Sequence, residues 1–169
     1  MRQSVQARGV AVAAAMVCLA SGCTASPTLA GAQESARALA TAVLAAVAQS
    51  DRQALERLAV DEREFRDHVW PHLPAARPER NLPFSYVWGD LHQKSQASLG
   101  QVLAKYRGRA YELVDVRFDD GQTPYADVIV HRHAVLVVRG PGGQEEIRVC
   151  GSFLEKDGRW KVFSYVVDD

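Results

Sequence analysis

Phe153-Leu154-Glu155-Lys156-Asp157-Gly158-Arg159-Trp160-Lys161-Val162 decides the fold, because two runs that mix apolar and charged residues meet there at an Asp-Gly pair. Asp-Gly accepts the left-handed backbone of a two-residue hairpin turn, so the stretch predicts two antiparallel strands. A turn of that length sets Cys150 against Tyr165, Ser152 against Phe163 and Phe153 against Val162. Working outward, a period of two runs from Ala110 onward, with strands at about residues 110–118, 125–138, 145–155 and 159–167. Asp119 to Pro124, Gly140 to Gly143 and Asp157-Gly158 join them into one antiparallel sheet.

Upstream the period changes to that of a helix. Leu39, Val43 and Val47 recur at four-residue spacing in a helix over about residues 34–50, and Asp51 caps a second one carrying Leu55 and Leu58. Asp61 and Glu64 form a capping box, with Val60 and Phe65 as its hydrophobic staple. The helix they start ends near Trp70, since Pro71, Pro74, Pro78 and Pro83 make residues 71–84 a loop. Asp90 and Gln93 offer another cap, ahead of a long helix whose face is Leu91, Ser95, Leu99, Val102 and Tyr106 and whose end is Gly108. The expected fold class is α+β: N-terminal helices packed on a curved antiparallel β-sheet.

Helices first, then a sheet closing in an Asp-Gly hairpin with Trp160 after it, resembles the nuclear-transport-factor-2-like superfamily over about residues 34–167. The resemblance implies a cone-shaped fold, a dimer and a pocket between helices and sheet. Members include polyketide cyclases, ketosteroid isomerases and non-catalytic binding domains. The Pro-rich stretch from Trp70 to Phe84 departs from the usual pattern.

Even-length loops would gather Glu112, His131, His133 and Cys150 on one sheet face, a set of oxygen, nitrogen and sulfur donors suited to a metal such as zinc. The alternative is ordinary strand packing. The same face carries Val114, Val116, Ile129, Val135, Val137 and Phe163, more apolar surface than a solvated face shows, so a second copy of the chain is expected to cover it. The opposite face, with Val128, Val130, Leu136, Ile147, Val149, Phe153, Trp160, Val162 and Val166, reads as core interrupted by Arg132. Asp115 and Arg132, both placed on the core side, are the candidate base and electrostatic helper of an acid–base enzyme. Cys150 beside His133 and Ser152 beside His131 have the residue types of nucleophile–base pairs, but sit mid-strand. His68 and His72 have helical ligand spacing that Pro71 interrupts. Phe84, Tyr86 and Trp88 either line the mouth of a pocket or plug the end of the core.

At the N-terminus, Arg2 and Arg8 precede an apolar run from Val10 to Ala20, and Leu19-Ala20-Ser21-Gly22-Cys23 closes it with small residues before a cysteine. Such a run is too short for a bilayer core of about 30 Å and reads as a lipoprotein signal peptide over residues 1–22. Acylation of Cys23 then anchors the chain to the lipid bilayer of the cell envelope; plain secretory cleavage, for instance after Ala25, is the alternative. Thr24 after the cysteine, by resemblance to Gram-negative lipoproteins, implies the outer membrane, facing the periplasm. Residues 23–33 read as lipidated cysteine and flexible tether, and residues 34–169 as one domain. Twenty Lys and Arg balance twenty Asp and Glu, with no basic run, so nucleic acid is not an expected partner. No cofactor is expected. Two function classes remain: a non-catalytic domain binding a small apolar ligand or an envelope protein, and a small pocket enzyme.

Overall fold

Ser35 and Asp51 each turn a side-chain oxygen onto a backbone N–H three residues ahead, and these two caps start α1 (Ala36–Gln49) and α2 (Arg52–Leu58) where the apolar period predicts them. The computed structural model describes residues 29–168. The segment expected to be a signal peptide, the expected lipidation site Cys23 and the chain up to Thr28 lie outside the described residues. The Asp61–Glu64 capping box forms and opens α3 (Glu62–Glu64), which widens at Phe65–Val69 into a π turn closed by Trp70 N–H on Phe65 O. Three 3₁₀ turns carry the Pro-rich stretch over residues 70–80.

The long helix α4 (Phe84–Tyr106) starts six residues earlier than Asp90. Pro83 is its first flanking residue and no side chain caps it. Asp90 is instead mid-helix, 2.8 Å from Lys94 one turn on. Packing explains the extra turns: Phe84 and Trp88 stand 6.1 and 5.3 Å from the buried ring of Phe65, which compensates for a start without a cap.

Seven strands follow: β1 (Glu112–Phe118), β2 (Gln122–Tyr125), β3 (Val128–Arg132), β4 (Ala134–Gly140), β5 (Gly143–Ile147), β6 (Cys150–Lys156) and β7 (Arg159–Tyr165). They make two antiparallel sheets, β1-β4-β5 and β2-β3-β6-β7, where the sequence predicts one. The strand expected at 125–138 breaks at His133, whose φ is +57°, and the one expected at 145–155 breaks at Arg148–Val149, so both runs cross from one sheet to the other. Leu136 faces Ile147 but Arg132 faces Ser152, a slip of one residue across the break. That slip swaps the faces. Leu136 and Val138 join the core built by α1, α2 and α4, whereas Val128 and Val130, of the same parity, join a second core with Phe65, Val69 and Leu154.

Sheet β2-β3-β6-β7 is therefore covered on both faces. Phe153 and Val162 point into the first core, Leu154 and Phe163 into the second. The hairpin at Asp157-Gly158 forms as predicted, with both residues at positive φ and Cys150 opposite Tyr165, Phe153 opposite Val162. An irregularity moves Ser152 opposite Ser164 rather than Phe163.

Candidate functional site

Trp88, Leu91, His92, Ser95 and Gln96 share one face of α4, at helical spacing, and look across a cleft at the segment from Ala59 to Glu62 and at Phe163 of β7. The cleft measures about 560 Å³, the size of a small-molecule site. Its far wall is held by two devices. Val60 N–H donates to Val162 O at 2.8 Å, tying the segment to the edge of β7, and the capping box fixes Asp61 and Glu62 at the mouth of α3. Apolar side chains make the floor: Trp88 stacks on His92 with ring centres 5.2 Å apart and rests on Phe65. The rim is acidic. Glu56, Asp61 and Glu62 line it together with His92, and no lysine or arginine does. Two of these carboxylates have arginine partners: Arg52 bridges Glu56 at 3.5 Å and Gln96 at 2.9 Å, both cleft-lining residues, and Arg66 meets Glu62 at 2.5 Å, while Asp61 accepts the N–H of Glu64.

Beneath that wall lies a buried ion pair. Lys161 Nζ donates to both oxygens of Glu64 at 3.0 and 2.7 Å, with side chains only 3% and 8% exposed. The Glu64 carboxylate also accepts N–H bonds from Asp61 at 3.0 Å and from Ala30 at 2.8 Å. Four hydrogen bonds from three donor groups thus converge on one buried carboxylate, which offsets its desolvation. A groove of about 420 Å³ beside Ala30 and Gly31 shares Glu56, Ala59 and Asp61 with the main cleft.

The metal set does not assemble. Glu112 pairs across the sheet with Arg139, at 3.0 Å; His131 faces Phe153 and Gln122; His133 sits in the break between β3 and β4; Cys150 is fully buried. Among the described residues no group of three or more potential ligands forms. The cause is the hairpin β2–β3, turned at Ala126–Asp127, which occupies the edge of β3 where β1 was expected. Cys150 lies opposite Tyr165 as expected but does not pair with His133 on its other side, and burial pushes its thiol well above the ordinary range, which keeps it protonated and unreactive. His131 Nε2 meets Glu155 Oε2 at 2.8 Å, with the ring packed near Trp160 and Phe118. Arg132, not Ser152's neighbour His131, lies opposite Ser152.

Asp115 and Arg132 are corrected from the core side to the surface: both are exposed, Asp115 beside a bulge in β1 and Arg132 paired with Asp120 at 3.4 Å. His68 is buried and His72 exposed, on opposite sides of the π turn's end. Of the aromatic trio, Phe84 plugs the second core, Trp88 lines the cleft and Tyr86 is 66% exposed, outside the cleft lining. Val135 and Val137, expected to need a second subunit, are buried at 4% and 6% within the chain. Arg117 of β1 and Glu146 of β5 reach across β4 above them and pair through two hydrogen bonds of 2.8 and 3.0 Å.

Sequence reasoning singled out Trp88 but missed Glu56, Asp61, Glu62, His92 and Phe163 as one site. The signal was the spacing of Trp88, Leu91, His92 and Ser95, which becomes one face only when the helix starts at Phe84. Among the described residues no helix is long and apolar enough to cross a membrane. The chain matches no protein-family model, no curated protein and no solved structure.

Proposed function

We propose that the chain is a membrane-anchored envelope lipoprotein whose single α+β domain binds a small ligand in the cleft between α4 and the Ala59–Glu62 segment, without catalysing its conversion. The cleft carries the reading: an aromatic floor of Trp88 and Phe163 takes an apolar body, and the rim carboxylates of Glu56, Asp61 and Glu62, two of them shared with Arg52 and Arg66, favour a cationic end over an anionic one. The ligand class is an organic cation with an apolar portion. Asp115, Arg132 and Cys150 lie outside this cleft, which is why binding is preferred to acid–base turnover. The bent strands crossing between two sheets, with α1 and α4 packed on them, support the further reading of a nuclear-transport-factor-2-like cone. The charged start, the apolar run and the small residues before Cys23 support the lipid anchor.

The test compares phenylalkylammonium ions with phenylalkyl carboxylates of the same length, read by tryptophan fluorescence and thermal shift. The ammonium series is expected to bind and the carboxylates not, with Trp88→Ala removing the response. Equal responses to both series, or an unchanged Trp88→Ala, would reject the site.

A further inference from the structure

The segment from Leu29 to Gln33, read from composition as part of a tether, is a strap built into the domain. Leu29 and Ala32 are 6% and 5% exposed, and Ala30 N–H donates to Glu64. Arg159 Nη2 donates to Ala32 O at 2.5 Å, and Gln33 and Trp160 exchange backbone hydrogen bonds of 2.9 and 2.8 Å. Between Cys23 and this strap only residues 24–28 remain as connecting chain.

We propose that the acylated chain holds the strap face of the domain against the lipid surface, so that the groove beside Ala30 and Gly31 opens onto the bilayer. The proposal rests on the lipidation of Cys23. Six Cα–Cα steps separate Cys23 from Leu29, a reach of at most about 21 Å fully extended and roughly 13 Å as a solvated coil. A domain of this size has a radius of gyration of about 14 Å, hence a diameter of roughly 37 Å. The connection is shorter than the domain is wide. The strap is tied to Trp160, opposite Glu155 near one end of the β5–β6 run, and Gly143 begins that run at its other end, so the turn at Gly140–Gly143 is held farther from the bilayer than the strap. Gln53 and Arg57, which line the strap-side groove, then face the headgroups. The groove and the cleft share Glu56, Ala59 and Asp61, so a ligand held in the groove lies against the cleft's own wall.

The test uses the full, processed chain in phosphatidylcholine vesicles carrying a headgroup spin label. A fluorophore is placed through Gln53→Cys or Gln144→Cys, both exposed positions, while Cys150 is fully buried and does not label. The mass of the N-terminal peptide first establishes acylation; an unacylated Cys23 overturns the anchor and the orientation together. With acylated protein, quenching is expected to be several-fold stronger at residue 53 than at residue 144. Inserting about thirty Gly/Ser residues between Thr28 and Leu29, long enough to span the domain's diameter, should remove the difference. Equal quenching at the two positions in the acylated parent overturns the orientation and leaves the anchor standing.

Discussion

Replacing Lys161 with Met tests whether the Glu64–Lys161 pair is what holds the cleft wall and the strap in place. At 2.7 Å and an effective dielectric constant of 20, the attraction is about 6 kcal/mol. Removing both charges from water costs several kcal/mol per ion, so the pair as a whole is close to neutral against an apolar replacement. Removing one partner is different. Lys161→Met leaves the Glu64 carboxylate buried with only the Ala30 and Asp61 N–H groups, and Glu64→Gln leaves a buried ammonium facing an amide. Each single change is expected to cost about 3 kcal/mol, near the low end for a broken buried pair because the remaining donors and acceptors are still partly satisfied. The double change should cost less than the sum of the two, giving a coupling of about 2–3 kcal/mol.

Urea unfolding followed by circular dichroism, for parent, both singles and the double, measures this cycle. Amide exchange at Ala30 adds a local readout, since its N–H depends on the Glu64 carboxylate: protection there is expected to fall more in Glu64→Gln than at the cores' central amides. A coupling below about 0.5 kcal/mol would refute the reasoning, for it would make the pair no better than an exposed one.

Two further outcomes follow from particular contacts. A Cβ at Gly151 would meet Ser164 Oγ at 2.7 Å and Val166 Cγ1 at 2.9 Å, so Gly151→Ala should destabilise by about 1–3 kcal/mol, seen as a lower urea midpoint, and an unchanged midpoint would mean that β7 yields freely there. The hydrogen bond from Lys156 holds Asp127 below its ordinary 3.8, and the same bond raises Lys156 above 10.5. The pair's contribution is therefore present between these values, lost as pH falls through the lowered carboxyl and again as it rises through the raised ammonium. With Asp127 half-exposed it is about 1 kcal/mol after screening, so the deficit of Asp127→Asn should shrink below about pH 4 in stability measurements, and a deficit independent of pH would contradict the pairing.

What was legible in the sequence is what local chemistry controls. Asp51, Asp61 with Glu64, and Asp157-Gly158 each act on neighbours within four residues, and the elements they start are where the pattern puts them. The break at His133 carried no such signal, because histidine, though it tolerates positive φ better than most residues, adopts it too rarely to announce a turn by itself. Ala126, at φ +49°, likewise hides a turn that Asn or Gly would have announced. Those two silent positions decide which side chains share a face, so the metal set read from an unbroken strand could not survive them. The start of α4 was missed for the converse reason: Asp90 looks like a cap, while the true start depends on the fit of Phe84 and Trp88 around Phe65.

The same geometry explains why charges are buried beside an aromatic core. The strap, α3 and the Ala59–Val60 segment are each too short to be stable alone, and each is joined to the edge of β7 or to Glu64 by a few polar bonds. Glu64 is the member common to two of them: its backbone and side chain close the box that orients Asp61 and Glu62 on the cleft rim, and its carboxylate accepts from the strap. An apolar residue at position 64 would fill the volume yet release both. The ion pair with Lys161 therefore acts on position more than on net stability, coupling the shape of the cleft wall to the strap at Ala30.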